Sequence, residues 1–423
     1  MKIQITNGRI IDPGSGLDLT GTVCIDNGTI VATGKPIADF KPDQVINAEG
    51  KWICPGIIDL SARFGEPGPQ QASIASESEA AAASGVTSVC CPPDTSPVID
   101  APAVVELIIQ RAAKSGKARI YPIGALTHGL KGERLAEMYA LQQAGCIAMS
   151  NANQPVCSNE ILRRTFEYAA STNLTVFIHA EDHALRNQGV VNEGAISTRL
   201  GLPPAPETAE TVAVSTALLL IEQTGVRAHF CRLSTAKSVA MIARAKQSGL
   251  PVTADVGICH LYLTEQDVDG YNVNCHLLPP LRRLADKQAL INGLIDGTID
   301  AVCSDHYPLN DDAKIAPFGL TKPGASTIEV LLPLMLDMIT RKQLSISQAF
   351  EKLTVNPAKI LGLQSGTLRT DSPADLIVID PDQSWTIDRT KLRSAGKNTP
   401  FDKWEMQGKV THTILNGQIV YPD

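Results

Sequence analysis

The sequence predicts a (β/α)8 barrel carrying a small β-sandwich domain built from both ends of the chain. Three observations predict it. Asn-Gly pairs set in apolar alternation occur at both ends, eight short apolar runs alternate with helical stretches between them, and polar residues collect where those runs stop.

At the N-terminal end, residues 2–6 and 9–11 flank Asn7-Gly8, and residues 23–26 and 30–32 flank Asn27-Gly28. Asn-Gly supplies the positive φ values that a two-residue hairpin turn needs. The signature returns where 410–415 meets 418–421 across Asn416-Gly417, and 375–380 adds a further strand. Both ends therefore read as one composite β-domain, 1–52 with 362–423. The barrel takes 53–361. Its candidate strands are 53–60, 86–91, 120–126, 146–150, 175–179, 228–231, 252–256 and 301–304. Helical stretches such as 76–83, 104–113, 135–144 and 212–223 lie between them, and the alanine run at 80–83 is ordinary helix propensity. Such alternation implies parallel βαβ units, and eight of them close a barrel.

The 423 residues are 43% hydrophobic, ample for a large core, and carry a formal charge of −7. A nucleic-acid footprint needs clustered Lys and Arg, so that class is excluded, and no charge block marks a disordered tail. The first residues show no long apolar segment of a signal peptide, and runs such as 212–221 are about half a bilayer span. A soluble, cytoplasmic protein with no membrane partner is expected. The ten cysteines are scattered without a C-x-x-C pair, which reads as buried small hydrophobes rather than a disulfide framework or zinc knuckle.

In a barrel of this kind chemistry sits at the C-terminal ends of the strands. Ser61 and Arg63 follow the first run, and Asn151 and Asn153 the fourth. His179, Glu181 and Asp182 close the fifth, Arg232 the sixth, and Asp305 with His306 the eighth.

Short fragments now form an ordered set along the whole chain. They are Pro55-Gly56-Ile57-Ile58-Asp59-Leu60, Glu66-Pro67-Gly68, Leu130-Lys131-Gly132-Glu133, His179-Ala180-Glu181-Asp182, Leu233-Ser234-Thr235, Pro279-Pro280-Leu281-Arg282, Asp296-Gly297-Thr298-Ile299-Asp300, Ser304-Asp305-His306, Asn356-Pro357-Ala358 and Ala374-Asp375-Leu376. As a set they resemble the dihydroorotase family of the amidohydrolase superfamily. The resemblance is closest to the non-catalytic dihydroorotase-like chains that partner aspartate carbamoyltransferase. It implies an amidohydrolase-type barrel and, in active members, zinc that activates a water and polarises the cyclic amide.

The same resemblance shows where this chain departs. The family's His-x-His pair after the first strand is Ser61-Ala62-Arg63, its carboxylate after the fourth strand falls in Ser150-Asn151-Ala152-Asn153, and its His after the sixth is Arg232. Only His179 and Asp305 remain of the implied ligands. Arginine has no lone pair to offer. At an effective dielectric near 20, a unit charge 4 Å from a dication costs about 8 kcal/mol. Turned inward, Arg63 and Arg232 would exclude a metal and could instead pair with Asp305. The implied substrate site departs as well: Gly65 stands for the carboxylate-binding Arg, Asp94 for an Asn, and Leu309 for a second His. Ser61, Arg63, Asn151, Asn153, His179, Arg232 and Asp305 are therefore read as vestigial metal-site positions. Gly65, Asp94 and Leu309 are vestigial substrate-site positions, with no catalytic residue and no metal expected.

His179 reads as a packed relic and Asp305 as an ion-paired acid rather than a general base. His183, His260, His276 and His306 read as structural, Glu181 and Asp182 as loop acids, and Cys231 and Cys303 as inert thiols. The expectation is a pyrimidine-synthesis pseudoenzyme that associates with aspartate carbamoyltransferase and with itself. Two other readings stand beside it. One is an active zinc enzyme of the dihydroorotase, hydantoinase or allantoinase type, using His179, Asp305 and a nearby His. The other is a sensor whose emptied pocket binds a pyrimidine precursor.

Overall fold

The computed structural model describes residues 1–68 and 71–422. The N-terminal strands are β1 (Lys2–Asp12), β2 (Leu17–Asp26), β3 (Thr29–Gly34), β4 (Gln44–Asn47) and β5 (Trp52–Pro55). The barrel strands follow as β6 (Ile57–Asp59), β7 (Val86–Cys91), β8 (Arg119–Ala125), β9 (Ala148–Ser150) and β10 (Thr175–Ile178). A short parallel pair, β11 (Val191–Asn192) and β12 (Pro204–Ala205), lies in a connection. β13 (Ala228–Phe230), β14 (Val252–Gly257) and β15 (Ala301–Cys303) complete the barrel, and β16 (Leu376–Thr386), β17 (Glu405–Leu415) and β18 (Gln418–Tyr421) end the chain.

The terminal strands form one hydrogen-bonded sheet in the order β18-β17-β16-β5-β1-β2-β3, with β4 on β1. It encloses its own core of Ile3, Ile5, Ile10, Val23, Ile25, Ile30, Ile53, Leu376, Val378 and Ile414. Asn27-Gly28 and Asn416-Gly417 take the positive φ that their hairpins require, whereas Asn7-Gly8, read as a turn, is a bulge inside the single strand β1, whose two halves both pair with β2.

The run read as one strand over 53–60 is two. Gly56 separates β5, which joins the terminal sheet, from β6, which opens the barrel. A Cβ at Gly56 would lie 2.3 Å from Thr87 Oγ1, so only glycine lets the chain cross between the sheets there.

The eight barrel strands are parallel, in the order β15-β14-β13-β10-β9-β8-β7-β6, and helices intervene along the chain. The seam between β15 and β6 is closed by a parallel bridge of Ala62 with His306 and by Asp59. The buried Asp59 carboxylate accepts the Ser304 N–H at 3.0 Å, the Ser61 N–H at 3.2 Å and the Ser304 hydroxyl. Burial pushes its pKa up to about 6, against the pull of those hydrogen bonds. A raised folded-state value favours the protonated fold. This contribution is therefore present below the ordinary carboxyl pKa and is lost as pH rises through about 6. Two pH units correspond to about 3 kcal/mol. Asp59→Asn is expected to gain stability relative to the parent as pH rises from 4 to 7. Calorimetric midpoints at both pH values check this, and a difference that ignores pH would refute it.

Eight of the ten cysteines are buried, Cys231 is intermediate, and Cys157 is exposed. Burial raises the thiol pKa at Cys54, Cys90, Cys231, Cys259 and Cys303. An aromatic disulfide reagent should therefore titrate one fast thiol in the native protein, and Cys157→Ser should abolish that phase. Several fast native thiols would contradict the packing.

Candidate functional site

The C-terminal ends of the barrel strands bring together Ser61, Arg63, Asp94, Asn153, His179, Arg232 and Asp305. Arg232 and Asp305 both hold non-glycine positive φ, 56° and 49°, after the sixth and eighth barrel strands, with β14 between them. Such strain persists only where surrounding structure imposes it. Here the Arg232 N–H is captured by Asp255 Oδ1 on β14.

The loop beneath Arg232 is fixed by the buried Glu210. It accepts the N–H groups of Ser234 and Thr235 at 3.1 Å each and both hydroxyls. Arg282 donates to Ser234 Oγ at 3.1 Å and to Asn192 Oδ1 and the Ala205 carbonyl. Leu233-Ser234-Thr235 and Pro279-Pro280-Leu281-Arg282 thus act as scaffold for the sixth strand end.

Both arginines point inward and converge on one carboxylate. Arg232 Nη1 lies 2.9 Å from Asp305 Oδ1, and its Nη2 donates to Asn153 Oδ1 at 2.6 Å. Arg63 Nη1 lies 3.6 Å from the same Asp305 oxygen. Arg63 also grips Asp94, with Nη2 2.9 Å and Nε 3.0 Å from Oδ2, and its guanidinium lies 4.7 Å from the Tyr307 ring centre. The Arg63 and Arg232 side chains are 8% and 5% exposed, so these are largely desolvated pairs. Burial works against each arginine's charge, yet both pKa values are raised, by Asp94 and Asp305 at Arg63 and by Asp305 at Arg232.

His179 sits at the end of β10 with its side chain 4% exposed, and neither ring nitrogen has a hydrogen-bond partner among the described residues. Burial, then the charges of Arg232 and other neighbours, hold its pKa well below the ordinary value, so the ring is neutral. His183 opens the short helix His183–Arg186, and its Nε2 lies 3.5 Å from Glu181 Oε2, which is 4.0 Å from His179 Nε2. Arg186 Nε lies 2.9 Å from that same oxygen without hydrogen-bond alignment.

Other predicted positions stand elsewhere. Asn151 turns into its own loop, accepting the Thr127 hydroxyl at 2.7 Å and donating to the Gln154 and Pro155 carbonyls at 3.1 Å. Gly65 has φ +72°, and a Cβ there would lie 2.5 Å from the Ala72 carbonyl oxygen, which leaves no room for an arginine. Leu309 is buried in the core, its N–H bound to Asn398 Oδ1 at 3.0 Å. His306 Nδ1 accepts the Thr327 N–H at 3.0 Å, so its Nε2 carries the proton donated to the buried Glu77 at 2.9 Å. His260 and His276 bond Pro279 O and Thr321 Oγ1 respectively.

Sequence reasoning passed over His229. It lies inside β13, fully buried, with Nδ1 2.8 Å from Thr253 Oγ1 and Nε2 3.0 Å from Asp255 Oδ2. With Cys231 these groups line the barrel interior beneath the mouth. No spacing motif announces them, because Asp255 belongs to the next strand.

The sequence pattern of the family described as "Dihydro-orotase-like" matches residues 50–238. A "Dihydroorotase-like protein" of Pseudomonas aeruginosa is 43% identical over 422 residues, covering 100% of both chains. This chain belongs to the dihydroorotase-like family. A "Dihydroorotase-like protein" of Pseudomonas putida is 42% identical over 100% of this chain and 99% of its own, and a "Dihydroorotase" of Geobacter sp. (strain M21) is 41% identical with the same coverage. The solved "L-Hydantoinase (Dihydropyrimidinase) from Arthrobacter aurescens" superposes with a TM-score of 0.89 at 23% identity, over 99% of this chain and 95% of that one. The dihydroorotase-like chain therefore has the amidohydrolase fold seen in the hydantoinases. No helix among its described residues is long and apolar enough to cross a membrane.

Proposed function

We propose that this dihydroorotase-like protein does not hydrolyse cyclic amides, and that it serves pyrimidine synthesis as a structural partner of aspartate carbamoyltransferase. The observation that carries the first half is the convergence of Arg63 and Arg232 on Asp305. Of the zinc donors implied by the family only His179 and Asp305 remain, and Asp305 already has two guanidinium partners. Closed or catalytic zinc sites use three or four N, O or S donors from the protein. Of that set the mouth keeps two, beside two fixed cations; the other groups near His179 are His183 and Glu181, and the Glu181 carboxylate already faces Arg186 at 2.9 Å, so the mouth does not fit the ion.

The partnership rests on the resemblance to non-catalytic chains of this family. Self-association belongs to the same reading. The active-enzyme alternative is favoured by one specific observation, the full-length 41% identity to a chain called "Dihydroorotase". The test is dihydroorotate turnover with and without added zinc, alongside affinity purification from the native host. Absent turnover with co-purifying aspartate carbamoyltransferase is expected. Chelator-sensitive turnover would overturn the first half, and purification without the carbamoyltransferase would overturn the second.

A further inference from the structure

We propose that His229, Cys231 and Asp255 form a site for a thiophilic divalent cation such as zinc, inside the barrel and one layer below the mouth. One ligand atom from each, an imidazole nitrogen, a thiol sulfur and a carboxylate oxygen, lie within 4.8 Å of one another. Tetrahedral zinc with bonds of about 2.0–2.3 Å holds its donors roughly 3.3–3.8 Å apart, so the cluster closes with small side-chain movements. His229 and Cys231 alternate onto one face of the sixth barrel strand, and Asp255 stands on the adjacent strand β14.

The surrounding groups suit such an ion. Thr253 Oγ1, 2.8 Å from His229 Nδ1, is placed to accept a hydrogen bond from a protonated Nδ1, which frees Nε2 for coordination. Metal-bound histidines are oriented by a second-nitrogen bond of this kind. The Cys303 thiol lies 3.7 Å from Asp255 Oδ1 and adds a soft donor at the edge of the cluster. Above Cys231 is a cavity of about 20 Å³, lined also by Ser61, Arg63, His179 and Arg232, both guanidinium groups being already paired with Asp305. That volume holds about one water, which can complete a four-coordinate ion. The ring of His179, without a hydrogen-bond partner among the described residues, borders the same space.

Charge and protons balance without a redox step. On binding, Cys231 releases its thiol proton to solvent, and the single imidazole proton moves from Nε2 to Nδ1. A dication, a thiolate and a carboxylate sum to zero, the condition under which a buried ionic cluster is tolerated. The Arg232 guanidinium is directed to Asp305 and Asn153, while its backbone N–H holds Asp255 in place.

The full-length protein, stripped with chelator, would be titrated with cobalt(II), directly and after refolding from urea with cobalt present. One equivalent is expected, with a thiolate-to-cobalt charge-transfer band in the near ultraviolet that zinc abolishes by displacement. Cys231→Ser should lose the band and weaken binding about 10- to 100-fold while keeping the parent's circular dichroism. No stoichiometric cobalt by either route, or a band that survives Cys231→Ser, would overturn the site. Cobalt held by the donors at the mouth, His179 and Asp305, would bind without the band and count against it too. Turnover and co-purification do not report on this cluster, so its failure is separable from that of the proposed function.

Discussion

Replacing Ser61→His, Arg63→His, Asn153→Asp and Arg232→His together is expected to give the barrel mouth a zinc affinity at least about 1000-fold above the parent's. The change acts twice. It removes two guanidinium groups that converge on Asp305, each worth about 8 kcal/mol of repulsion toward a dication at 4 Å before screening. It also adds four donors to His179 and Asp305, on positions the fold already gathers. Asn153 is chosen over Asn151 because its side chain reaches Arg232, whereas Asn151 is consumed by its own loop. Competition titration against a chromogenic chelator, in a Cys231→Ser background to silence the inner cluster, reads the result. A folded variant with no gain would mean that backbone geometry at the strand ends, rather than donors and charge, keeps the ion out.

The second large effect concerns stability. Asp305→Ala should destabilise the protein by about 3–5 kcal/mol, because it strands the buried Arg232 charge and leaves Arg63 only Asp94. Arg232→Met alone should cost less, since Arg63 still reaches Asp305 and the aspartate side chain is 18% exposed. The double variant Arg232→Met/Asp305→Ala should recover most of the loss. It removes both members of the desolvated pair and leaves Arg63 with Asp94 at 2.9 Å. Calorimetry of the three variants gives the ordering. A double variant as unstable as the sum of its singles would show that the two residues are uncoupled.

The architecture was legible because it rests on local signals. Asn-Gly turns, apolar runs of strand length and helical stretches are each read within a dozen residues, and all eight barrel strands fall on the expected runs. The split at Gly56 was not legible, since the apolar run continues across it and the reason for the break is the approach of Thr87 from another strand. The site was legible as a ring of strand ends, and the pairing of Arg63 and Arg232 with Asp305 followed from charge once those ends were placed together. Which asparagine faces the mouth was beyond reach, because alternation fails in the loop where Ala152 takes positive φ. The His229–Asp255 contact and the Glu77–His306 pair were hidden for the same physical reason. Each joins residues on different strands or helices, 26 and 229 positions apart, and no short pattern encodes such meetings.

The central strand of the terminal sheet, β5, is flanked by β1 on one side and β16 on the other. A ribosome delivers β5 more than 300 residues before β16. Through most of synthesis the early strands therefore carry an unpaired edge, the consecutive apolar residues Trp52–Pro55, the kind of surface that recruits foreign strands. Truncation shortly before β16 would make that transient exposure permanent. Such a fragment should reach inclusion bodies even though every barrel strand is present, so the order of manufacture makes β16–β18 guardians of β1–β5.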